Sequence, residues 1–298
     1  MFIFFFLQGC DRKTISSEEK NLVLDKFFRY LLFNESGIYT LVGSKPITDI
    51  WMFCEGKEEK IKRWESLSEE EKSSRILIIN RDKKEDMDFY KTLSKKLRKK
   101  AVVVPDRDFL IDFECFVNNW GLIKKTNISN KYMLIGRGGF QKLKTKNEKF
   151  FRIVFVNVLQ VALTLQEHYS LFKDFVGFDF DPISVVMELR EDKSAFWDKL
   201  EEGESALLWG ILYGFGKENS FCYLWKDKYK CLNEIEAFAS QEFVSIPSLN
   251  NFSIPAFASF FEYDLVIQKY KKEKEIIQKE YQGKNFLDHT LKILSGNR

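Results

Sequence analysis

Apolar residues recur along much of this chain at the three- and four-residue spacing of helices that pack on a core. Ser16 and Glu19 form a capping-box pattern, which predicts a helix that begins there and continues to about Phe33. A strongly periodic stretch predicts a helix over residues 157–175. Further helices are predicted over residues 57–73, 83–100, 194–201, 204–212, 263–282 and 286–294, and from residue 182 onward.

Short apolar runs between these segments are typical of strands. They cover residues 38–42, 76–79, 101–104, 132–135 and 151–156. Alternation around Cys115 also places its side chain on an apolar side of an extended segment. The pattern therefore predicts an α+β fold, predominantly helical, with one small mixed or antiparallel sheet.

The composition is that of a folded protein with a sizeable core, because 45% of the 298 residues are hydrophobic. Lys and Arg number 47 against 44 Asp and Glu, which gives a net charge of +3. So balanced a charge does not indicate nucleic acid as a partner. Residues 17–298 are expected to form a globular body, either one domain or two lobes divided near residues 124–131.

The N-terminus carries the most specific motif, Leu7-Gln8-Gly9-Cys10, directly after the apolar residues 2–7. This motif resembles the lipobox of bacterial lipoproteins. The resemblance implies that residues 1–9 are a signal peptide and that Cys10 is lipidated. It also implies that residues 10–16 form a short tether. Two or three acyl chains anchor a protein stably, whereas one binds only marginally.

The N-terminus departs from the usual signal-peptide pattern in two features, and one alternative interpretation is open. The basic n-region is absent and the apolar stretch is short, which a start codon assigned too late would explain. Asp11 resembles the residue that retains some lipoproteins at the inner membrane. In the alternative, residues 2–7 are an ordinary strand or helix start and Cys10 lies in a turn.

The body resembles uncharacterised lipoproteins of chlamydia-like bacteria in three short segments, and this resemblance implies no activity. The segments are residues 39–46, 174–182 and 210–219. In the first of them, Gly43, Ser44 and Lys45 form a turn before Pro46. Backbone amides in such a turn could hold an anion, although an ordinary turn is the simpler interpretation.

Asp179 and Asp181 are the best candidates for carboxylate chemistry, because alternate residues of an extended segment face one side. In the simpler interpretation, Asp181 caps a helix that begins at Pro182. His168 and His289 are too few for the commoner zinc sites. Neither a dinucleotide-binding nor a phosphate-loop motif is complete, so no cofactor, metal or catalytic residue is expected.

The cysteines other than Cys10 are even in number, which permits two disulfides in an exported protein. A core of this size needs no disulfides, so buried free thiols are the preferred interpretation for Cys54, Cys115, Cys222 and Cys231.

The sequence therefore predicts a non-catalytic envelope lipoprotein on the periplasmic or extracellular face of a bacterial cell membrane. Its expected partners are the membrane, through the lipid at Cys10, and an envelope or host protein, but not nucleic acid. One alternative is an envelope hydrolase that uses Asp179 and Asp181. The other is a soluble protein without an anchor.

Overall fold

The computed structural model describes most of the body of the chain. The described residues are 16–54, 66, 68, 78–80, 84–93, 95–98, 102–104, 113–137, 149–191, 193–202, 205–226, 238–239, 252–259 and 264–297. Cys10, Asp11 and Cys231 lie outside them, as do most of the predicted helix over residues 57–73 and the tether before Ser16.

Helices make up most of the described structure. In the first half of the chain they are α1 (Ser17–Arg29), α2 (Ile38–Leu41), α3 (Lys84–Thr92), α4 (Lys95–Arg98), α5 (Phe113–Asn118) and α6 (Trp120–Ile123). In the second half they are α7 (Val158–Glu167), α8 (Tyr169–Val176), α9 (Pro182–Glu188), α10 (Ala195–Glu202), α11 (Ala206–Leu212), α12 (Lys217–Lys226), α13 (Leu265–Tyr281) and α14 (Phe286–Leu294).

The main sheet has three antiparallel strands in the order β1-β5-β4. These strands are β1 (Ile47–Cys54), β4 (Tyr132–Arg137) and β5 (Lys149–Asn157). Two smaller pairings join β2 (Ile78–Asn80) in parallel with β3 (Val102–Val104), and β6 (Phe238–Ala239) antiparallel with β7 (Ala258–Ser259). The predicted α+β class, predominantly helical with one small mixed or antiparallel sheet, is confirmed, and the main sheet is antiparallel.

The central strand β5 separates two hydrophobic cores. Ile153 and Phe155 pack in one core with α1, α13 and α14. Val154 and Val156 face the other way, into a core built by α7 to α11. Because both faces of the strand are covered, its sequence is almost continuously apolar rather than alternating. Arg152 is the exception, and it lies on the second face.

The first helix follows its sequence signals closely. Ser16 accepts a hydrogen bond from the Glu19 backbone, and the Glu19 carboxylate accepts one from the Ser16 backbone at 2.8 Å. The helix then widens into a π-helical turn over Tyr30–Asn34. In that turn the Glu35 backbone N–H donates to the Tyr30 carbonyl, five residues earlier. The two side chains are thereby brought together.

Several local predictions were wrong. Residues 38–42 do not form a strand but the short helix α2, whose four residues are all buried, so neither helical nor strand periodicity is visible. The segment around Cys115 belongs to helix α5. The predicted helix over residues 157–175 is two helices, because the chain turns at His168.

Candidate functional site

The two aspartates singled out in the sequence have local structural roles. The Asp179 side chain is 74% exposed and forms an ion pair with Lys173 at 2.7 Å. It also accepts a hydrogen bond from the Tyr169 hydroxyl at 2.9 Å. Asp181 caps α9 by accepting from the Ser184 backbone N–H at 3.2 Å. These contacts match the interpretation of Asp181 as a helix cap. They do not bring the carboxylates of Asp179 and Asp181 together in a pocket.

Ionised side chains meet instead beside the main sheet, where Arg152 lies opposite Trp51 in the β1–β5 register. Asp49 is two residues before Trp51 and therefore shares its face. The Arg152 Nε donates to both Asp49 oxygens, at 3.0 and 2.8 Å, and its Nη1 contacts Glu201 Oε1 at 2.8 Å. The guanidinium carbon also lies 4.7 Å from the Trp51 ring centre and 5.0 Å from that of Trp209.

These contacts satisfy a charge that burial alone would make unfavourable. Arg152 is only 6% exposed. Burial opposes its charged form, but the hydrogen bond and negative charge of Asp49 outweigh that effect and raise the pKa of Arg152. The Tyr213 hydroxyl donates to Asp49 Oδ2 at 2.9 Å. Burial, followed by the Asp49 charge, raises the pKa of Tyr213, so this hydroxyl stays protonated.

Lys45 is the second buried cation of this region, with 6% of its surface exposed. Its backbone N–H donates to the Tyr39 carbonyl at 3.1 Å, and its ammonium donates to the Glu35 carbonyl at 3.2 Å. Among the described residues, no carboxylate forms an ion pair with it. Burial lowers the pKa of Lys45 to about 8, against the opposing fields of Glu35 and Asp49.

The turn that contains Lys45 is stabilised by a hydrogen bond within the protein. The Ser44 backbone N–H donates to the Glu273 carboxylate on α13 at 3.2 Å. That turn amide is therefore occupied by the protein's own carboxylate, and Lys45 is one of the residues that line the polar pocket described below.

The half-buried Glu35 carboxyl lies close to Lys45 and accepts a hydrogen bond from the Tyr30 hydroxyl. Burial raises the pKa of Glu35, and the hydrogen bond from Tyr30 and the charge of Lys45 only partly oppose this effect. The charge of Glu35 is thus disfavoured relative to that of an exposed glutamate.

Two adjoining pockets open beside these groups. The polar pocket has a volume of about 270 Å³ and is lined by residues that include Glu35, Lys45, Asp49 and Trp51. The apolar pocket has a volume of about 370 Å³ and is lined by residues that include Trp209, Asn219, Ser220 and Phe257. Tyr213, Phe215 and Ala256 line both pockets. We call the two adjoining pockets together the cleft.

A row of aromatic rings forms the common wall of the cleft. Ring centres lie 5.8 Å apart for Trp209 and Tyr213, 5.7 Å apart for Tyr213 and Phe215, and 5.3 Å apart for Phe215 and Phe257. Gly214, which has a φ of 78°, lets the chain turn sharply between two of these rings. The wall consequently presents mostly apolar surface to both pockets.

Asn219 supplies a polar group inside the apolar pocket. It is 4% exposed, and its amide nitrogen donates to the Phe215 carbonyl at 3.1 Å and to Asp264 Oδ2 at 2.7 Å. Its side-chain oxygen has no hydrogen-bond partner among the described residues. A buried acceptor of this kind is normally satisfied, but this oxygen is itself closed to solvent, so it offers no contact to a ligand from the pocket.

The sequence contained partial signals for this cleft. Arg152 interrupts the otherwise apolar run over residues 151–156, and Lys45 lies in a turn whose pattern permits anion binding. Asp49, Tyr213 and Asn219 carry no local signal, because the fold brings them together from distant positions. Asp49 and Tyr213 are 164 residues apart in the chain.

No protein-family model, curated protein or solved structure matches this chain. Among the described residues, no helix is both long and apolar enough to cross a bilayer.

Proposed function

We propose that this protein is a bacterial envelope lipoprotein, anchored through Cys10, whose body binds a small amphipathic molecule in the cleft without catalysing a reaction. The observation that carries the binding function is that one aromatic wall joins a pocket containing charged groups to a mostly apolar pocket. Such concave apolar sites with a few placed polar groups are typical of small-molecule binding.

The state of the carboxylates favours binding over hydrolysis. Asp49 is occupied by Arg152 and Tyr213, which hold it as a paired carboxylate rather than a free base. Asp179 pairs with Lys173 at the surface, and Asp181 caps a helix. The hydrolase alternative based on these two aspartates therefore has no geometric support.

Anchoring is supported by the sequence alone. Leu7, Gly9 and Cys10 match the lipobox pattern, and polar residues 11–17 suit a tether. In this proposal the body lies on the periplasmic or extracellular face of the bacterial cell membrane, and Asp11 favours retention at the inner membrane. An envelope or host protein could then receive the bound molecule or dock on the body.

The binding function is tested with 2-naphthylmethanol, a neutral probe with an aromatic body, measured by equilibrium dialysis. Ala256 is exposed and lines both pockets, so Ala256→Trp should fill their junction without disturbing the core. We expect this variant to weaken probe binding at least about tenfold, a loss of about 1.4 kcal/mol. The control is Leu159→Trp, at a site that is 62% exposed on α7. Equal binding by the two variants would contradict the proposal.

Anchoring is tested by mass spectrometry of the mature N-terminus from the native host, alongside a Cys10→Ala variant. We expect the native chain to begin at a Cys10 that carries acyl groups, and the variant to lack them. An intact Met1 with an unmodified Cys10 would instead support the soluble alternative.

A further inference from the structure

We propose that the molecule bound in the cleft is an organic acid, whose carboxylate binds the Lys45 ammonium while its apolar body lies along the aromatic wall. This inference rests on the proposed binding function of the cleft and adds the chemical class of the ligand to it.

The hydrogen bonding of Lys45 carries the first step. An ammonium has three donors, yet among the described residues the side chain of Lys45 makes one hydrogen bond, to the neutral carbonyl of Glu35. Because the residue is 6% exposed, bulk water replaces the missing acceptors poorly. A buried cation in this state favours an anionic oxygen supplied from the pocket that it lines.

The charges around Lys45 support the same conclusion. Asp49 is compensated by Arg152, which also contacts Glu201. Glu35 accepts from Tyr30, and burial favours its neutral form. No neighbouring carboxylate among the described residues pairs with Lys45, so its positive charge is the one that a ligand can match.

The apolar pocket defines the rest of the ligand. Its walls include Trp209, Phe215 and Phe257, which suit a planar or acyl body. The ligand class is thus a carboxylic acid with an aromatic or acyl body.

The experiment compares three probes that share one body and differ only in the head group: 2-naphthoate, 2-naphthylmethanol and 2-naphthylmethylamine. Dissociation constants are measured by isothermal titration calorimetry at pH 7 for the full chain and for Lys45→Met, which keeps a similar apolar stem. Lys124→Met, at an exposed position on the C-terminal side of α6, is the matched control. Thermal unfolding of each variant verifies that it is folded.

We expect the wild type to bind naphthoate at least about tenfold more tightly than the alcohol, as a charge-assisted hydrogen bond would produce. Lys45→Met should remove that preference and leave binding of the alcohol within about twofold of the wild type. Lys124→Met should retain the preference. The wild-type comparison of head groups does not depend on any variant, so it tests the proposal even if Lys45→Met fails to fold.

The other outcomes separate this inference from the function on which it rests. If naphthoate and the alcohol bind equally and Ala256→Trp weakens the binding of both, the cleft binds ligands but the prediction that its ligand is an acid is wrong. Tightest binding by the amine would make the cleft a cation site and also overturn the inference. If no probe binds, the proposed binding function itself is refuted.

Discussion

The buried ammonium of Lys45 should make the stability of this protein depend on pH in a distinctive way. The pKa of Lys45 is about 8 in the folded protein, compared with an ordinary value of 10.5. Below pH 8 the residue is protonated in both the folded and unfolded states. Its burial then costs about 3 kcal/mol, from a difference of about 2.5 pKa units at 1.36 kcal/mol each.

This cost should disappear as the pH rises. Between pH 8 and 10.5 the unfolded chain binds more protons at Lys45 than the folded protein does, so the free energy of unfolding increases with pH. By pH 9.5 the gain relative to pH 7 is about 2 kcal/mol. Lys45→Met has no such proton and should be the more stable protein at pH 7, with the difference shrinking toward pH 9.5.

The assay is urea-induced unfolding of the wild type, Lys45→Met and Lys124→Met at pH 7, 8, 9 and 9.5, followed by tryptophan fluorescence. Tyr30 and Tyr213 have raised pKa values and destabilise the fold at higher pH, where only the unfolded chain ionises them. Because those tyrosines are present in all three proteins, the difference between variants isolates Lys45. Parallel stability curves for the wild type and Lys45→Met would refute the reasoning.

Three further substitutions test the structure around the cleft. Arg152→Met leaves the carboxylate of Asp49 buried without its cation. We therefore expect the free energy of unfolding, measured with urea, to fall by about 3–5 kcal/mol. A decrease below about 1 kcal/mol would contradict the buried ion pair. Asp264→Ala removes an N-cap that accepts two backbone N–H bonds at the start of α13, and should cost about 1–2 kcal/mol at pH 7. Hydrogen bonds lower the pKa of Asp264 despite its burial, so the gap between Asp264→Ala and the wild type should narrow as the pH falls below the ordinary value of 3.8. Gly210→Ala places a methyl carbon 3.0 Å from Ser220 Cβ, where α11 and α12 pack. This overpacking should lower the free energy of unfolding by about 1–3 kcal/mol. An unchanged urea midpoint would show that the packing relaxes freely.

Sequence patterns predicted the elements that have a clear boundary signal or a clear period. Ser16 and Glu19 formed the capping box that begins α1, and Asp181 with Pro182 began α9. The apolar runs over residues 132–135 and 151–156 lie in the adjacent strands β4 and β5. Each of these signals acts within a few residues, so it can be recognised without knowledge of the partner elements.

The elements that were predicted wrongly or not predicted lack such local signals. Helix α2 is buried on all sides, so its sequence carries no stripe that distinguishes a helix from a strand. Strand β1 was not predicted, because Asp49 interrupts its apolar residues. Only the pairing of β1 with β5 places Arg152 beside that aspartate and makes a buried charge tolerable.

The sequence by itself determined the fold class, the positions of most helices and the resemblance of residues 7–10 to a lipobox, all of which depend on local patterns. It also contained the isolated charges Lys45 and Arg152. Only the tertiary structure decided that one of these cations is matched by carboxylates while the other faces a pocket without such a partner among the described residues. Charge compensation depends on distances between residues far apart in the chain, and those distances exist only once strands and helices have packed.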